Sequence, residues 1–396
     1  MVSETRNRNM RIGLFSRYYH TEYKRGIATY TYELTRALSD IIHRHDVTLI
    51  DYFWDKEGFN HLPRIANRKF ENCIIRFPGR LFETMNRSMG WPKIEFKSGV
   101  FDLLHLMHEY SAPVAKGPKI VTTVHSLGPI IFPDLFEKRY RSRWKEDLDR
   151  CLTRATKVIA VSNSLAGQLR SYRPEFSHKY CSTQLGVSIE FLKGPDAEYE
   201  KRFFSAMNID YPFVLYVGAS DPGKNLIRLL KAFSIFLNES KTVPPHHLIV
   251  IGNQKWGGYA GIKKTIDDLR LNGRIHFTGY IDHHDLPLYY KNCEIFVFPA
   301  LFEGFGLPVL EAMASGAPCL ISDRPALDEV GAHVAEYFDP ESSESIAEKL
   351  IVLLNDPPKL AKMKTAGLNY AKKFTWENTA MKTLRVYENV LGESLI

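Results

Sequence analysis

The sequence predicts an α/β protein built from two Rossmann-like domains. At 396 residues the chain is too long for one ordinary domain. Short apolar runs, typical of buried parallel strands, alternate with segments of helical periodicity. This alternation breaks at a charged, turn-rich stretch, residues 193–200, which we interpret as a linker, and restarts at the apolar run 213–218. We therefore expect one domain over 1–195, a second over 196–377, and a final helix over 378–396.

The first half opens as strand, helix, strand. Residues 10–16 and 46–52 are apolar runs, and residues 27–40 carry Leu34 and Leu38 on one helical face. Gly26 stands just before this helix, where it is either a simple turn glycine or a point of close approach to a ligand.

Two further strands are predicted at 101–107 and 119–125, and a strand at 156–162 is expected to be the last of the first half. His125 ends the second of these, at the carboxyl edge where open α/β sheets bind ligands. The helix predicted over 138–156 carries Asp147 and Asp149, but this D-x-D lies in a solvated helical pattern and does not indicate a metal site.

Charge is distributed unevenly along the chain. The net charge of +7 comprises +11 over residues 1–195 and −4 over 196–396. The first half is thus expected to meet an anionic partner, either lipid headgroups or a phosphate-bearing acceptor. No nucleic-acid motif accompanies the charge, so we expect no nucleic-acid partner. Residues 64–97 interleave basic and aromatic residues, which favours a peripheral membrane surface; the alternative is helices with solvated faces and buried aromatic residues.

Composition excludes several classes of protein. The five cysteines lack metal-ligand spacing, which argues against a zinc site and a disulfide framework and fits a reducing cytoplasm. About 18 consecutive apolar residues would be needed to cross a membrane, and no such run occurs. The polar, basic start shows no signal peptide. We expect a cytoplasmic protein with peripheral contact at the inner face of the plasma membrane.

The most informative stretch is 294–322, which reads as strand, glycine loop, helix and strand. Gly304 and Gly306 permit backbone conformations that a side chain forbids. Pro308 suits the start of the helix, and Gly316 suits its end. A glycine loop that leads into a helix N-terminus directs several backbone N–H groups at one spot, which favours an anion such as phosphate.

Two carboxylates frame this loop. Glu303 lies in the loop, and Glu311 follows eight residues later, in what we expect to be the first turn of the helix. Separately, Glu303 is compatible with a solvated loop position and Glu311 with compensation of the helix dipole. Together, on either side of an anion site, they suit hydrogen bonds from the hydroxyl groups of a sugar or ribose.

The sequence E-G-F-G-L-P-V-L-E, followed by A-M-A-S-G-A-P, resembles the E-x7-E signature of retaining GT-B glycosyltransferases, family 4 in particular. V-G-x-x-x-P-x-K-N-L from Val217, V-S-N-S-L-A-G-Q-L from Val161 and the closing F-x-W resemble further segments of that family. The resemblance implies two facing Rossmann-like domains, the donor on the second and the acceptor on the first. It also implies that the C-terminal helix crosses back to the first domain.

The resemblance assigns roles to individual residues. Lys224 would contact the donor phosphates, Glu311 the ribose diol and Glu303 the sugar hydroxyls, while His125 would orient the sugar. The loop residues Gly304, Phe305, Gly306 and Leu307 and, in the first half, Gly26 would bring backbone to the donor. The chain departs from the family at Ala219 and Gly223, where an arginine is usual, and at Ser126, where an acid is usual.

By the same resemblance, the expected function is that of a retaining, metal-independent hexosyltransferase without a cofactor. It would move mannose or a similar hexose from a nucleotide-sugar, GDP-mannose being favoured, to a glycan or lipid-linked acceptor. The sequence looks most like bacterial mannosyl- or rhamnosyltransferases of polysaccharide and O-antigen assembly. The alternatives are a sugar-nucleotide epimerase of the same fold, a non-catalytic pseudo-glycosyltransferase, and a membrane scaffold or nucleic-acid binder.

Overall fold

A computed structural model describes residues 9–17, 26–53, 70–76, 85, 89–91, 93–194, 196–240, 245–252 and 259–395. The chain divides into two compact units. The first comprises Met1–Gly186 together with Trp376–Ile396, and the second comprises Val187–Thr375.

The first unit contains a parallel sheet of seven strands in the order β3-β2-β1-β4-β5-β6-β7. The crossover between β1 and β4 divides the sheet, as in Rossmann-like folds. Its strands are β1 Arg11–Ser16, β2 Asp46–Phe53, β3 Glu71–Arg76, β4 Leu103–Leu106, β5 Lys119–Val124, β6 Lys157–Ala160 and β7 Tyr180–Ser182.

Helices of the first unit connect these strands and cover the sheet. They are α1 Ile27–Ile41, α2 Glu95–Ser98, α3 Gly128–Ile131, α4 Lys138–Arg154 and α5 Asn163–Tyr172. Short 3₁₀ turns occupy Pro133–Leu135 and Pro174–Lys179.

The second unit repeats the same plan with a parallel sheet of six strands in the order β10-β9-β8-β11-β12-β13. Its strands are β8 Phe213–Val217, β9 His247–Ile251, β10 Ile275–Gly279, β11 Ile295–Phe298, β12 Cys319–Ser322 and β13 Glu336–Phe338. Its helices are α6 Ile189–Lys193, α7 Ala197–Ala206, α8 Leu226–Glu239, α9 Tyr259–Asp268, α10 Leu286–Asn292, α11 Leu307–Ala314, α12 Pro325–Gly331, α13 Ser343–Leu354 and α14 Pro357–Ala371, with a 3₁₀ turn at Pro222–Lys224.

The last helix, α15 Trp376–Leu391, returns to the first unit and packs against α1. Buried hydrogen bonds anchor it: the Tyr387 hydroxyl lies 2.6 Å from Nδ1 of His105, and Nε2 of His105 lies 2.8 Å from the Thr123 hydroxyl. Thr123 in turn lies 2.8 Å from the hydroxyl of Tyr30 in α1. The predicted return of the C-terminal helix to the first domain is confirmed.

The structure corrects the sequence predictions at the short elements. Strands β3, β7 and β13 were not predicted, and β7 shows that the strand at 156–162 is not the last of its sheet. With three residues in β7 and in β13, these two strands are too short to show a period.

The expected linker at 193–200 is largely helical, since α6 ends at Lys193 and α7 begins at Ala197. Asp196 caps α7 by accepting from two backbone N–H groups, so the charges that suggested a linker serve helix ends.

No helix among the described residues is long and apolar enough to cross a membrane.

Candidate functional site

The predicted strand, loop, helix and strand of 294–322 are present as β11, a loop, α11 and β12. Gly306 is the N-cap of α11 with a φ of 103°, and a Cβ there would stand 2.7 Å from Leu327. Glycine is therefore required for both reasons. Gly304 is not among the residues of positive φ, so only one of the two glycines is needed for backbone conformation. Backbone N–H groups of Gly316 and Ala317 bond back to carbonyls of α11 and end it in a Schellman motif.

A second loop, residues 221–225 after β8, is bonded to the glycine loop. The Asn225 side chain donates to the carbonyls of Pro299 and Pro340 at 3.0 and 2.8 Å, and the Leu301 N–H donates to the carbonyl of Gly223 at 2.8 Å. Asn225 has a φ of 60°, a left-handed conformation that asparagine tolerates. These bonds hold the carboxyl ends of β8 and β11 together.

Lys224 and Glu303 meet at this junction as an ion pair. The Lys224 side chain is 26% exposed and that of Glu303 is 16% exposed, so both groups remain accessible. Burial alone would lower the pKa of the Lys224 ammonium, but Glu303 and Asp221 raise the pKa above its ordinary value. Lys224 therefore carries its full positive charge at the mouth of the glycine loop.

The packing of Phe302 leaves little room for a side chain at position 223, one of the two places where the resemblance suggested an arginine. A Cβ on Gly223 would stand 2.6 Å from the ring of Phe302, which packs against this turn. Any side chain at 223 would require that ring to move. Arg324, at the N-cap of α12, stands near the same loop: its Nε donates to the Leu301 carbonyl at 3.2 Å, and it pairs with Glu341 at 2.6 Å.

Glu311 lies on α11 but not where we predicted it. The helix begins at Leu307, so Glu311 falls in the second turn and does not compensate the dipole of the first. Its side chain is buried, and it accepts a hydrogen bond from the Tyr290 hydroxyl at 3.2 Å. Burial raises the pKa of this carboxyl to about 7, while the Tyr290 hydrogen bond opposes that shift.

The first unit places His125 directly after β5, at the carboxyl edge of its sheet. Its Nε2 lies 2.9 Å from the carbonyl of Met107, and its ring meets the edge of Tyr30 with centroids 4.7 Å apart. Because a carbonyl only accepts, Nε2 carries the proton. Burial lowers the pKa of His125 to about 4, so the ring is neutral at pH 7. The Ser126 hydroxyl accepts from the Gly128 N–H and caps the following turn.

Gly26 is the N-cap of α1, with a φ of 47° and open space around the position of a Cβ. Its predicted contact with the donor stays a prediction. Asp149 lies on α4 and bonds to Tyr172 and Arg173, as expected of a helical surface residue. Within the described part of the chain, no group of three or more His, Cys, Asp or Glu residues is arranged to hold a metal ion.

The structure thus joins Lys224 to Glu303, places Glu311 on the helix that starts at their loop, and keeps His125 and Gly26 in the other unit. Sequence reasoning missed Asn225, Arg324 and Tyr290, which fix the arrangement in the second unit. It also missed Glu109, which accepts a hydrogen bond from the backbone N–H of His125 in the first unit. Asn225 stands next to Lys224 in the K-N-L segment, so its role could have been predicted from that motif. The other residues act through contacts distant in sequence, and no local pattern predicts them.

Comparison with known families agrees with this geometry. Residues 24–179 match the family described as Glycosyltransferase Family 4, and residues 198–370 match the family described as Glycosyl transferases group 1. The chain belongs to the glycosyltransferases. The predicted GT-B fold is likewise confirmed: sucrose-phosphate synthase from Thermosynechococcus elongatus superposes with a TM-score of 0.75 at 20% identity, covering 97% of this chain and 100% of that one.

Relatives of this glycosyltransferase include O-antigen enzymes. O-antigen chain mannosyltransferase B of Escherichia coli is 24% identical over 378 residues, which is 92% of this chain and 96% of that protein. Serotype-specific mannosyltransferase WbdA of Escherichia coli is 27% identical over 308 residues, which is 76% of this chain but only 37% of that longer protein.

Replacing Glu311 with Gln should change how stability depends on pH. The folded-state pKa is raised from 4.5 to about 7, so the protonated form is favoured by folding. This contribution is fully present below pH 4.5 and is lost as the pH rises through about 7. We expect E311Q to gain stability relative to wild type over that interval, by up to about 3 kcal/mol at pH 8. Urea unfolding followed between pH 5 and 8 measures the difference.

The matched control is Glu348→Gln, at an exposed position of α13. A difference between wild type and E311Q that stays constant with pH would contradict the burial of the Glu311 charge.

Proposed function

We propose that the protein transfers mannose or a similar hexose from a nucleotide-sugar, GDP-mannose being favoured, to a glycan or lipid-linked acceptor of cell-surface polysaccharide or lipopolysaccharide. The ion pair of Lys224 and Glu303 beside the N-terminus of α11 is the observation that carries this proposal. A site with one partly buried ammonium, a set of helix N–H groups and a carboxylate suits a diphosphate joined to a sugar. The O-antigen relatives support mannose as the sugar.

The leaving nucleoside diphosphate gains negative charge in the transition state. Lys224 and the backbone N–H groups at the start of α11 would stabilise that charge, which is electrostatic catalysis without a metal. Glu311, once ionised, would accept hydrogen bonds from the ribose hydroxyls. Glu303, released from Lys224, would accept them from the sugar.

Configuration at the reacting carbon would be retained by attack on the same face from which the diphosphate leaves. The bond from the anomeric carbon to the phosphate oxygen breaks, the bond to the acceptor oxygen forms, and the acceptor proton passes to the departing phosphate. The first unit would supply His125 to hold a sugar hydroxyl. Gly26 at the start of α1 would allow close approach of the backbone to the donor.

Replacing Lys224 with Met, which keeps the length of the chain but not its charge, should weaken binding of the nucleoside diphosphate far more than binding of the nucleoside. We expect a loss of about 10- to 100-fold for the diphosphate, equivalent to about 1.4–2.8 kcal/mol. Titration calorimetry with both ligands provides the measurement. Lys291→Met, at another ion-paired lysine of the second unit, is the control. Equal losses for both ligands would mean that Lys224 is structural.

Replacing Glu303 with Gln should lower turnover by about 100-fold, which corresponds to about 3 kcal/mol of activation free energy. The reason is that an amide accepts hydrogen bonds from sugar hydroxyls less strongly than a carboxylate does. Affinity for the nucleoside diphosphate should stay within a few-fold of wild type. The assay follows glycosylated acceptor and released diphosphate together, which distinguishes transfer from epimerisation. Running it in excess EDTA also tests whether the reaction proceeds without a metal. Wild-type turnover in E303Q would remove Glu303 from the reaction.

We further propose that the first unit, which would bind the acceptor, has a surface that contacts a membrane. Met89, Phe96 and Val100 are 71%, 83% and 67% exposed, an unusual density of exposed apolar side chains. Lys93 and Lys97 lie within the same stretch. Apolar groups beside lysines suit an anionic lipid surface, where a lipid-linked acceptor is held. The basic residues Arg64, Arg68, Lys69 and Arg80 of the predicted surface lie outside the described residues.

Sedimentation with liposomes tests this contact. We expect binding to phosphatidylglycerol vesicles, little binding to neutral vesicles, and release at high salt because the Debye length shrinks from about 8 Å at physiological ionic strength. Replacing Phe96 and Val100 with Ser should reduce binding several-fold and leave donor affinity unchanged. Val352→Ser, at an apolar position of the second unit that is 51% exposed, is the control. Equal sedimentation with both vesicle types would contradict an anionic membrane partner.

A further inference from the structure

Glu109 joins the segments that follow β4 and β5 at the carboxyl edge of the first sheet. Its Oε2 accepts a hydrogen bond from the backbone N–H of His125 at 3.2 Å. The side chain of Trp144 in α4 and the backbone N–H of Glu109 itself also donate to this carboxyl group. Three donors from separate parts of the chain therefore converge on one half-buried acid.

His125 is held a second time by the same segment. Nε2 of its ring donates to the carbonyl of Met107, two residues before Glu109, at 2.9 Å. The ring of Tyr30 packs against it, and Tyr30 is itself fixed by its hydrogen bond to Thr123. Both the main chain and the ring of His125 are thus determined by residues 107–109 and α1.

This arrangement selects one state of the imidazole. Since Nε2 carries the only proton of the neutral ring, Nδ1 presents a lone pair. A hydroxyl that meets Nδ1 must donate its hydrogen, and a group that can only accept would be repelled. The orientation of Nδ1 depends on the main-chain position of His125, which the Glu109 carboxyl group holds.

We propose that Glu109 is a positioning residue for sugar transfer: it fixes His125 so that Nδ1 accepts a hydrogen bond from a hydroxyl of the transferred sugar. This role rests on the proposed function. It implies a substrate requirement, because a donor analogue with fluorine in place of the contacted hydroxyl cannot donate and should be transferred poorly.

Turnover separates this role from a purely structural one. Removing the carboxyl group in Glu109→Ala should lower turnover per folded molecule by about 10- to 100-fold, since small displacements of a positioning group cost that much. Glu109→Gln keeps an oxygen that can accept from the His125 N–H and should recover most of the activity. Affinity for the nucleoside diphosphate should stay near wild type in both variants. Full turnover in E109A would overturn the proposal.

Asp102 provides a matched control in the same sheet. Its Oδ2 accepts from the Arg11 backbone N–H at 2.9 Å, at the amino edge, directly before β4. Asp102→Ala thus removes an equivalent bond between a carboxyl group and the backbone, far from His125. We expect lower stability in D102A with turnover per folded molecule near wild type. A loss of turnover per folded molecule in D102A as large as in E109A would show that the effect is a general distortion of the first sheet and would overturn the positioning role of Glu109.

The state of His125 is observable without an activity assay. In protein labelled with ¹⁵N-histidine, long-range correlation spectra should show Nε2–H for His125 in wild type and a mixture of tautomers in E109A, and the His125 amide should exchange faster in E109A. If neither the tautomer nor the amide exchange rate of His125 changes in E109A, Glu109 does not fix the position of His125. Full turnover in His125→Ala would instead contradict the proposed function, whatever the spectra show.

Discussion

The candidate site of the second unit is built around the ion pair between Lys224 and Glu303. Two opposite charges at the mouth of the glycine loop neutralise each other, so neither must be fully solvated. In the proposed function, a diphosphate that attracts Lys224 would free Glu303, which would then need new hydrogen-bond donors. Sugar hydroxyls supply donors, whereas the diphosphate alone does not. In the proposed function, the pair would therefore couple recognition of the diphosphate to recognition of the sugar.

Parallel sheets explain why residues so distant in sequence meet at one edge. Each strand of a sheet ends on the same side, so the loops after β8 and β11 are neighbours although 79 residues separate Lys224 from Glu303. Asn225 and Arg324 then hold those loops by bonding to backbone carbonyls, so the Lys224 ammonium and the Glu303 carboxylate are not needed to fix the loops. In the first unit, Glu109 plays the equivalent part for the loop after β5.

The sequence was sufficient for the elements with a strong local signal. The glycine loop, its helix and the helical stop at Gly316 use backbone conformations that few residue types other than glycine tolerate, so the glycines mark them in the sequence. Strands of three residues left no period to detect, and asparagine or glutamate side chains that bond across the fold leave no trace in local spacing. Glu311 was assigned to the wrong turn because a proline near a helix start fixes the first residue only to within a position or two.

The two units differ in the charge that their sheet edges offer. Burial lowers the pKa of His108 to about 3 and of His125 to about 4, so these imidazoles, which follow β4 and β5 in the first sheet, are neutral. Neutral imidazoles form hydrogen bonds with hydroxyl groups but contribute no net charge to a phosphate. The second unit instead offers a charged ammonium, raised in pKa, beside a helix N-terminus. In the proposed function, the donor phosphates would therefore bind at the second unit, and the neutral histidines of the first would suit uncharged hydroxyl groups.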